Sequence, residues 1–136
     1  MRRFFVVTVV GCTILAVLVP AWAGSPHFIY ANATRSGNSL TVSFKEAGLG
    51  DEPTVNITVS ATAECINGGS KHPKAVNKGT FSTSKAFTVN NGQATGTLTL
   101  TATFQPACSP PMTVVFTNVS ITDSSNGISK NITGTF

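Results

Sequence analysis

Apolar and polar residues alternate along much of this chain. From Thr54 to Cys65, Val55, Ile57, Val59, Ala61, Ala63 and Cys65 take one face, while Asn56, Thr58, Ser60, Thr62 and Glu64 take the other. A period of two sustained this long predicts an antiparallel strand with one face buried and Cys65 pointing inward. Gly96, Leu98, Leu100, Ala102 and Phe104 alternate in the same way with Thr97, Thr99, Thr101 and Thr103. Asn90-Asn91-Gly92 just before that run is a tight-turn signal, so Phe81–Val89 and Gln93–Phe104 are expected to pair as a hairpin. Leu40, Val42 and Phe44 mark a shorter strand, ended by Glu46-Ala47-Gly48-Leu49-Gly50. Further strands are expected over Phe28–Thr34, Met112–Thr122 and Ile128–Phe136, the last two joined by Asp123-Ser124-Ser125-Asn126-Gly127. The apolar phase slips between Phe116 and Val119, which signals a bulge or a strand buried on both faces. About seven short strands with regular turn signals and no helical periodicity predict one all-β domain, an immunoglobulin-like antiparallel sandwich.

The first 23 residues break this pattern. Met1-Arg2-Arg3 leads into an apolar run from Phe4 to Val19, Pro20 ends it, and Ala21-Trp22-Ala23 places small residues before Gly24. A basic start, an apolar middle and an A-x-A site make a cleavable secretory signal. The run is shorter than the roughly 20 apolar residues that span a bilayer. Val9-Val10-Gly11-Cys12 looks like a lipobox, but Ile14–Val19 would then put a greasy run where a polar tether is usual. The expected organisation is a signal peptide over 1–23 and one sandwich domain over 24–136, secreted and with no membrane span in the mature chain.

Composition then narrows the function. The chain has nine Lys and Arg against five Asp and Glu, and Arg2 and Arg3 would leave with the signal. Arg35 is then the sole arginine, which argues against nucleic acid as a partner, where arginine forks dominate. Of three cysteines, Cys12 lies in the signal, so Cys65 and Cys108 are expected to pair in an oxidising compartment. No histidine neighbours either cysteine in sequence, so a reactive thiol has no support.

The residues offer little catalysis. The acids of the mature chain are Glu46, Asp51, Glu52, Glu64 and Asp123. Asp51 and Glu52 are adjacent, and adjacent side chains diverge instead of converging on a substrate. His27 and His72 have no close His or carboxylate partner in sequence, a poor start for zinc, and no nucleophile elbow is present. Enzyme activity, metal and cofactors are therefore not expected. Sugar stacking is not expected either, because Tyr30 is the one mature aromatic besides phenylalanine. Four N-x-S/T triplets begin at Asn32, Asn56, Asn118 and Asn131, and matter only where the host glycosylates secreted asparagines.

Two connections are long. Ile66–Gly79 carries Lys71, His72, Lys74 and Lys78, the densest charge in the protein, and Gln105–Pro111 contains Cys108. A Cys65–Cys108 bond would tie both to one end of the sandwich. Loops on a rigid frame carry recognition in many secreted domains, so Lys71, His72, Lys74 and Lys78 are the candidate binding residues. An anionic wall or extracellular polymer, or another protein, is the partner class they suit.

Ser39–Gly50, the strand into Cys65, Asn91-Gly92-Gln93-Ala94 before Leu98, and the closing strand to Phe136 together resemble the neocarzinostatin-type apoproteins. Those are small exported actinobacterial sandwiches that hold a chromophore. That family has two short-range disulfides where this chain has two mature cysteines, so the resemblance implies the fold and export, with no cleft or ligand residue carried over. Cys65-Ile66-Asn67-Gly68-Gly69 with Ala75-Val76-Asn77-Lys78 is also similar to a pattern in secreted actinobacterial proteins of unknown function. The expected function is a non-catalytic secreted or envelope-associated module acting through surface or loop contacts. The alternatives are a small-ligand carrier with a cleft in the sandwich, and a secreted enzyme inhibitor using Ala107–Pro111.

Overall fold

The computed structural model describes residues 25–67 and 77–136. Seven strands follow one another: β1 His27–Ser36, β2 Ser39–Ala47, β3 Thr54–Ile66, β4 Lys78–Thr88, β5 Ala94–Thr101, β6 Thr113–Asp123 and β7 Ile128–Ile132. They form two antiparallel sheets, ordered β1-β2-β5 and β4-β3-β6-β7. The all-β sandwich expected from the alternation is the observed architecture. Among the described residues, no helix is long and apolar enough to cross a membrane.

The alternating residues build the core as their period requires. Leu40, Val42 and Phe44 of β2 are buried, in register with Leu100, Leu98 and Gly96 of β5. Val55, Ile57, Val59, Ala61, Ala63 and Cys65 of β3 face them from the other sheet, with Val114, Phe116, Val119 and Ile121 of β6. The outward positions are rows of hydroxyls. Ser39 with Thr101, Thr41 with Thr99, Thr58 with Ser84 and Thr122 with Ser129 lie 3.0, 3.4, 2.6 and 2.9 Å apart across neighbouring strands.

The expected hairpin between β4 and β5 is corrected. The tight turn forms, with Asn91 and Gly92 at φ of 52° and 72° and backbone bonds both ways between Asn90 and Gln93. Beyond that single bridge the strands separate, β4 joining β3 and β5 joining β2. The physical reason is packing. Phe87 of β4 sits edge-on against Phe44, with ring centroids 4.9 Å apart, and its ring fills the space above Gly96. A Cβ on Gly96 would overlap that ring. The chain therefore turns a corner from one sheet to the other around an aromatic side chain.

The phase slip in β6 is a bulge. Thr117 pairs with Thr62 and Ser120 with Ser60, so Asn118 and Val119 together oppose Ala61, and Asn118 takes φ of 50°. β7 itself stops at Ile132, short of the expected Phe136. Phe136 nevertheless exchanges both backbone bonds with Phe116, at 2.9 and 3.0 Å, which closes the strand on the far side of the bulge.

Candidate functional site

The strand register divides the polar chemistry between two ends. At one end, Cys65 at the finish of β3 is joined to Cys108, as the cysteine count suggested. Glu64 and Lys78 face each other as the last register pair of β3 and β4. Lys78 Nζ lies 3.1 Å from Glu64 Oε1, with side-chain exposures of 55% and 16%. Of the candidate binding residues, Lys78 is thus placed at the root of the basic segment, while Lys71, His72 and Lys74 lie outside the described residues. The other half of this end, Gln105–Pro111, is exposed apart from the buried anchor Cys108.

The opposite end gathers acids that no motif flagged. Glu46 continues the inward row of β2, and Asp123 ends the inward row of β6; both are 0% exposed. In their sheets Glu46 is flanked by Phe28 and Ala94, and Asp123 by Ile57 and Ile128. Asp123 is well supplied with donors. Its Oδ1 accepts from the backbone N–H groups of Ser125 and Asn126 at 2.8 and 3.3 Å, and its Oδ2 accepts from Asn126 Nδ2 at 2.6 Å. The same Nδ2 donates to Glu52 Oε2 at 2.9 Å. Neither carboxyl oxygen of Glu46 meets an N–H or hydroxyl donor, so the hydrogen bond open to this group is the one its own proton makes to Asp123. Burial first, then the hydrogen bond and charge of Asp123, then the charge of Glu52, push the Glu46 carboxyl up to about 8. At neutral pH it is therefore mostly a neutral acid, whose one proton is suited to bridge to Asp123.

The loop after Glu46 shapes this end. Leu49, 1% exposed, drops into the core with its N–H bonded to Gly92 O at 3.0 Å. Gly48, at φ of 77°, passes so close to the Ser25 backbone that a Cβ would overlap it. An open hollow of about 430 Å³ lies beside it, lined by His27, Ala47, Gly48, Gly50, Asp51 and the 91–93 turn. His27 is turned to the Ser25 carbonyl, 2.7 Å from Nδ1. Two smaller hollows, of about 320 and 240 Å³, lie along β7. The former is lined by Asn118 and Asn131, and all four asparagines of the N-x-S/T triplets are exposed.

Sequence reasoning missed the pairing of Glu46 with Asp123 because each belongs to a different sheet. A signal was present: both acids fall on the apolar phase of their strands, where alternation predicts a hydrophobic residue. Searched against protein-family models, curated proteins and solved structures, the chain matches none.

Proposed function

We propose that this chain is an exported, non-catalytic sandwich module that acts by surface contact at its disulfide-tied end, with an anionic wall or extracellular polymer as partner. The observation that carries this reading is the pinned root of the basic segment. It leaves and re-enters one pair of adjacent strands, between the Glu64–Lys78 register pair and the Cys65–Cys108 bond. A segment held at its base loses less conformational freedom on binding, which favours affinity without a large interface. Lysines on such a segment meet phosphate or carboxylate as point charges. The disulfide also suits an oxidising compartment, in keeping with export.

The competing readings draw less support. The one convergence of carboxyls among the described residues has its inner pair fully buried, out of reach of a substrate. A carrier needs an enclosed apolar cleft, whereas the inner faces are filled by Leu40, Phe44, Ile57, Phe116 and Ile121. The inhibitor reading keeps one favourable observation: Ser109, Pro110 and Pro111 stand exposed next to the buried Cys108. Assays against a panel of secreted proteases test it, and inhibition lost on cleavage of that loop would favour it over polymer binding.

For the main reading, the protein should be retained by envelope fractions of its host and released by salt. Replacing Lys71, Lys74 and Lys78 together by Ala should abolish retention. Retention that is unchanged in that variant would place the contact elsewhere.

A further inference from the structure

Three of the sheet edges are blunted against further pairing. β4 carries Lys78 and Lys85, and β7 is short and carries Lys130. β1 carries Arg35 and is broken by a register shift between Phe28 and Tyr30. The remaining edge, β5, has none of these devices. Its residues, Ala94-Thr95-Gly96-Thr97-Leu98-Thr99-Leu100-Thr101, include no charge and no proline, and its register with β2 runs without a shift. Proteins ordinarily guard such an edge, because its open backbone groups are a template for another strand.

The register identifies those open groups. Ala102 N–H donates to Asn38 O at 2.9 Å, one step beyond the Ser39–Thr101 pair. Bonded pairs alternate along an antiparallel ladder. Leu100, Leu98, Gly96 and Ala94 therefore turn their backbone groups to β2, while Thr101, Thr99, Thr97 and Thr95 turn theirs away. All four threonines are exposed, and among the described residues no strand pairs with β5 on that side.

We propose that β5 is a dimerisation edge, which pairs antiparallel with β5 of a second copy of this chain about a twofold axis at Leu98. That register sets Thr95 against the partner's Thr101 and Thr97 against the partner's Thr99. Every outward N–H and C=O of both strands then finds a mate. A slip of one residue would set outward groups against inward-turned ones, and a slip of two would leave the ends unpaired. The strand is thus self-complementary, as a twofold contact requires. Its lack of charge lets two identical strands meet without repulsion. The side chains also agree. Ser39 with Thr101 and Thr41 with Thr99 already stand hydroxyl to hydroxyl across β2 and β5, 3.0 and 3.4 Å apart, and the pairing extends that row into the partner. On the inner face Leu98 would meet the partner's Leu98, an apolar cross-strand pair. The product is a continuous sheet through both copies, while the lysines of β4 and β7 keep the other sheet from joining in the same way. One strand pair is a small contact, so the dimer should be weak and concentration-dependent. This inference does not depend on the polymer reading.

The test is sedentation equilibrium of the purified protein over a range of concentrations, with amide hydrogen exchange at the two extremes. The expected result is a mass rising from monomer towards dimer, with the amides of Thr95, Thr97, Thr99 and Thr101 becoming protected as it rises. Thr97→Lys with Thr99→Lys sets like charges opposite one another across the axis, and should weaken the dimer by about tenfold. Thr97→Lys with Thr99→Asp sets opposite charges there, and should restore association to near the wild-type strength. Both positions face solvent, and circular dichroism checks that each variant folds. A wild-type chain that stays monomeric at its highest soluble concentration would overturn the proposal. So would a dimer whose four threonine amides stay unprotected, or one that the paired lysines leave as strong as before. Equal weakening by both double variants would contradict the twofold register and point to a foreign strand as the occupant of this edge.

Discussion

Glu46 sets an unusual pH dependence. Its carboxyl lies at about 8 in the fold against an ordinary 4.5, so between those values the folded chain holds a proton that the unfolded chain releases. The resulting stabilisation is complete below pH 4.5, declines as pH rises, and is gone once pH passes about 8. Denaturant melts should therefore show stability falling by a few kcal/mol from weakly acidic to alkaline pH. Glu46→Gln should flatten that slope, and an equal slope in the variant would show that the dependence arises elsewhere. Gly96 gives a second test. Its missing Cβ makes room for Phe87, which is held in place by Phe44, so Gly96→Ala should destabilise by about 1–3 kcal/mol in an equilibrium melt. The sequence assigned Gly96 to the inward row correctly. That it yields its space to a ring from another strand is a tertiary fact no local pattern contains.

Edge strands are where the fold meets a general hazard, since their free backbone groups invite pairing with another chain. β4 and β7 are the edges of the four-stranded sheet, and each carries a lysine in register with an inward residue. Lys85 opposes Ile57, and Lys130 opposes Ile121. Both are exposed, and Lys85 lies over the Phe87 ring, 5.4 Å from its centroid. A charge on the inner side of an edge makes a further strand costly to add. Lys85→Val with Lys130→Val should raise self-association, read as a larger mass in light scattering at high concentration; a variant that stays at the wild-type mass would remove this role. Element positions were largely legible from alternation, and the phase slip in β6 marked the bulge at Asn118. The β4–β5 connection was not. Asn90-Asn91-Gly92 specifies a tight turn, but nothing local states whether the strands leaving it stay together or part to separate sheets.

Across the whole molecule, the two ends carry different chemistry on one apolar frame. The Cys65–Cys108 bond closes a loop with a sequence separation of 43, which restricts the unfolded chain by about 4 kcal/mol on the chain-entropy model. Replacing both cysteines by alanine should lower stability by about that amount, and a variant as stable as the wild type would mean the link is not formed in solution. The pairing was legible because few cysteines left few choices. The acidic end was hidden by the distance in sequence between Glu46 and Asp123. The basic end was visible from composition; Lys78 is ion-paired with Glu64, while Lys71 and Lys74, which the proposed polymer contact also invokes, lie outside the described residues. The most direct measurement of that claim is a titration of the purified protein with a soluble anionic wall polymer at low and high salt. Wild-type protein should bind at low salt and weaken as salt rises, and the variant with Lys71, Lys74 and Lys78 changed to Ala should not bind. Binding of equal strength in that variant, or none by the wild type at low salt, would contradict the account.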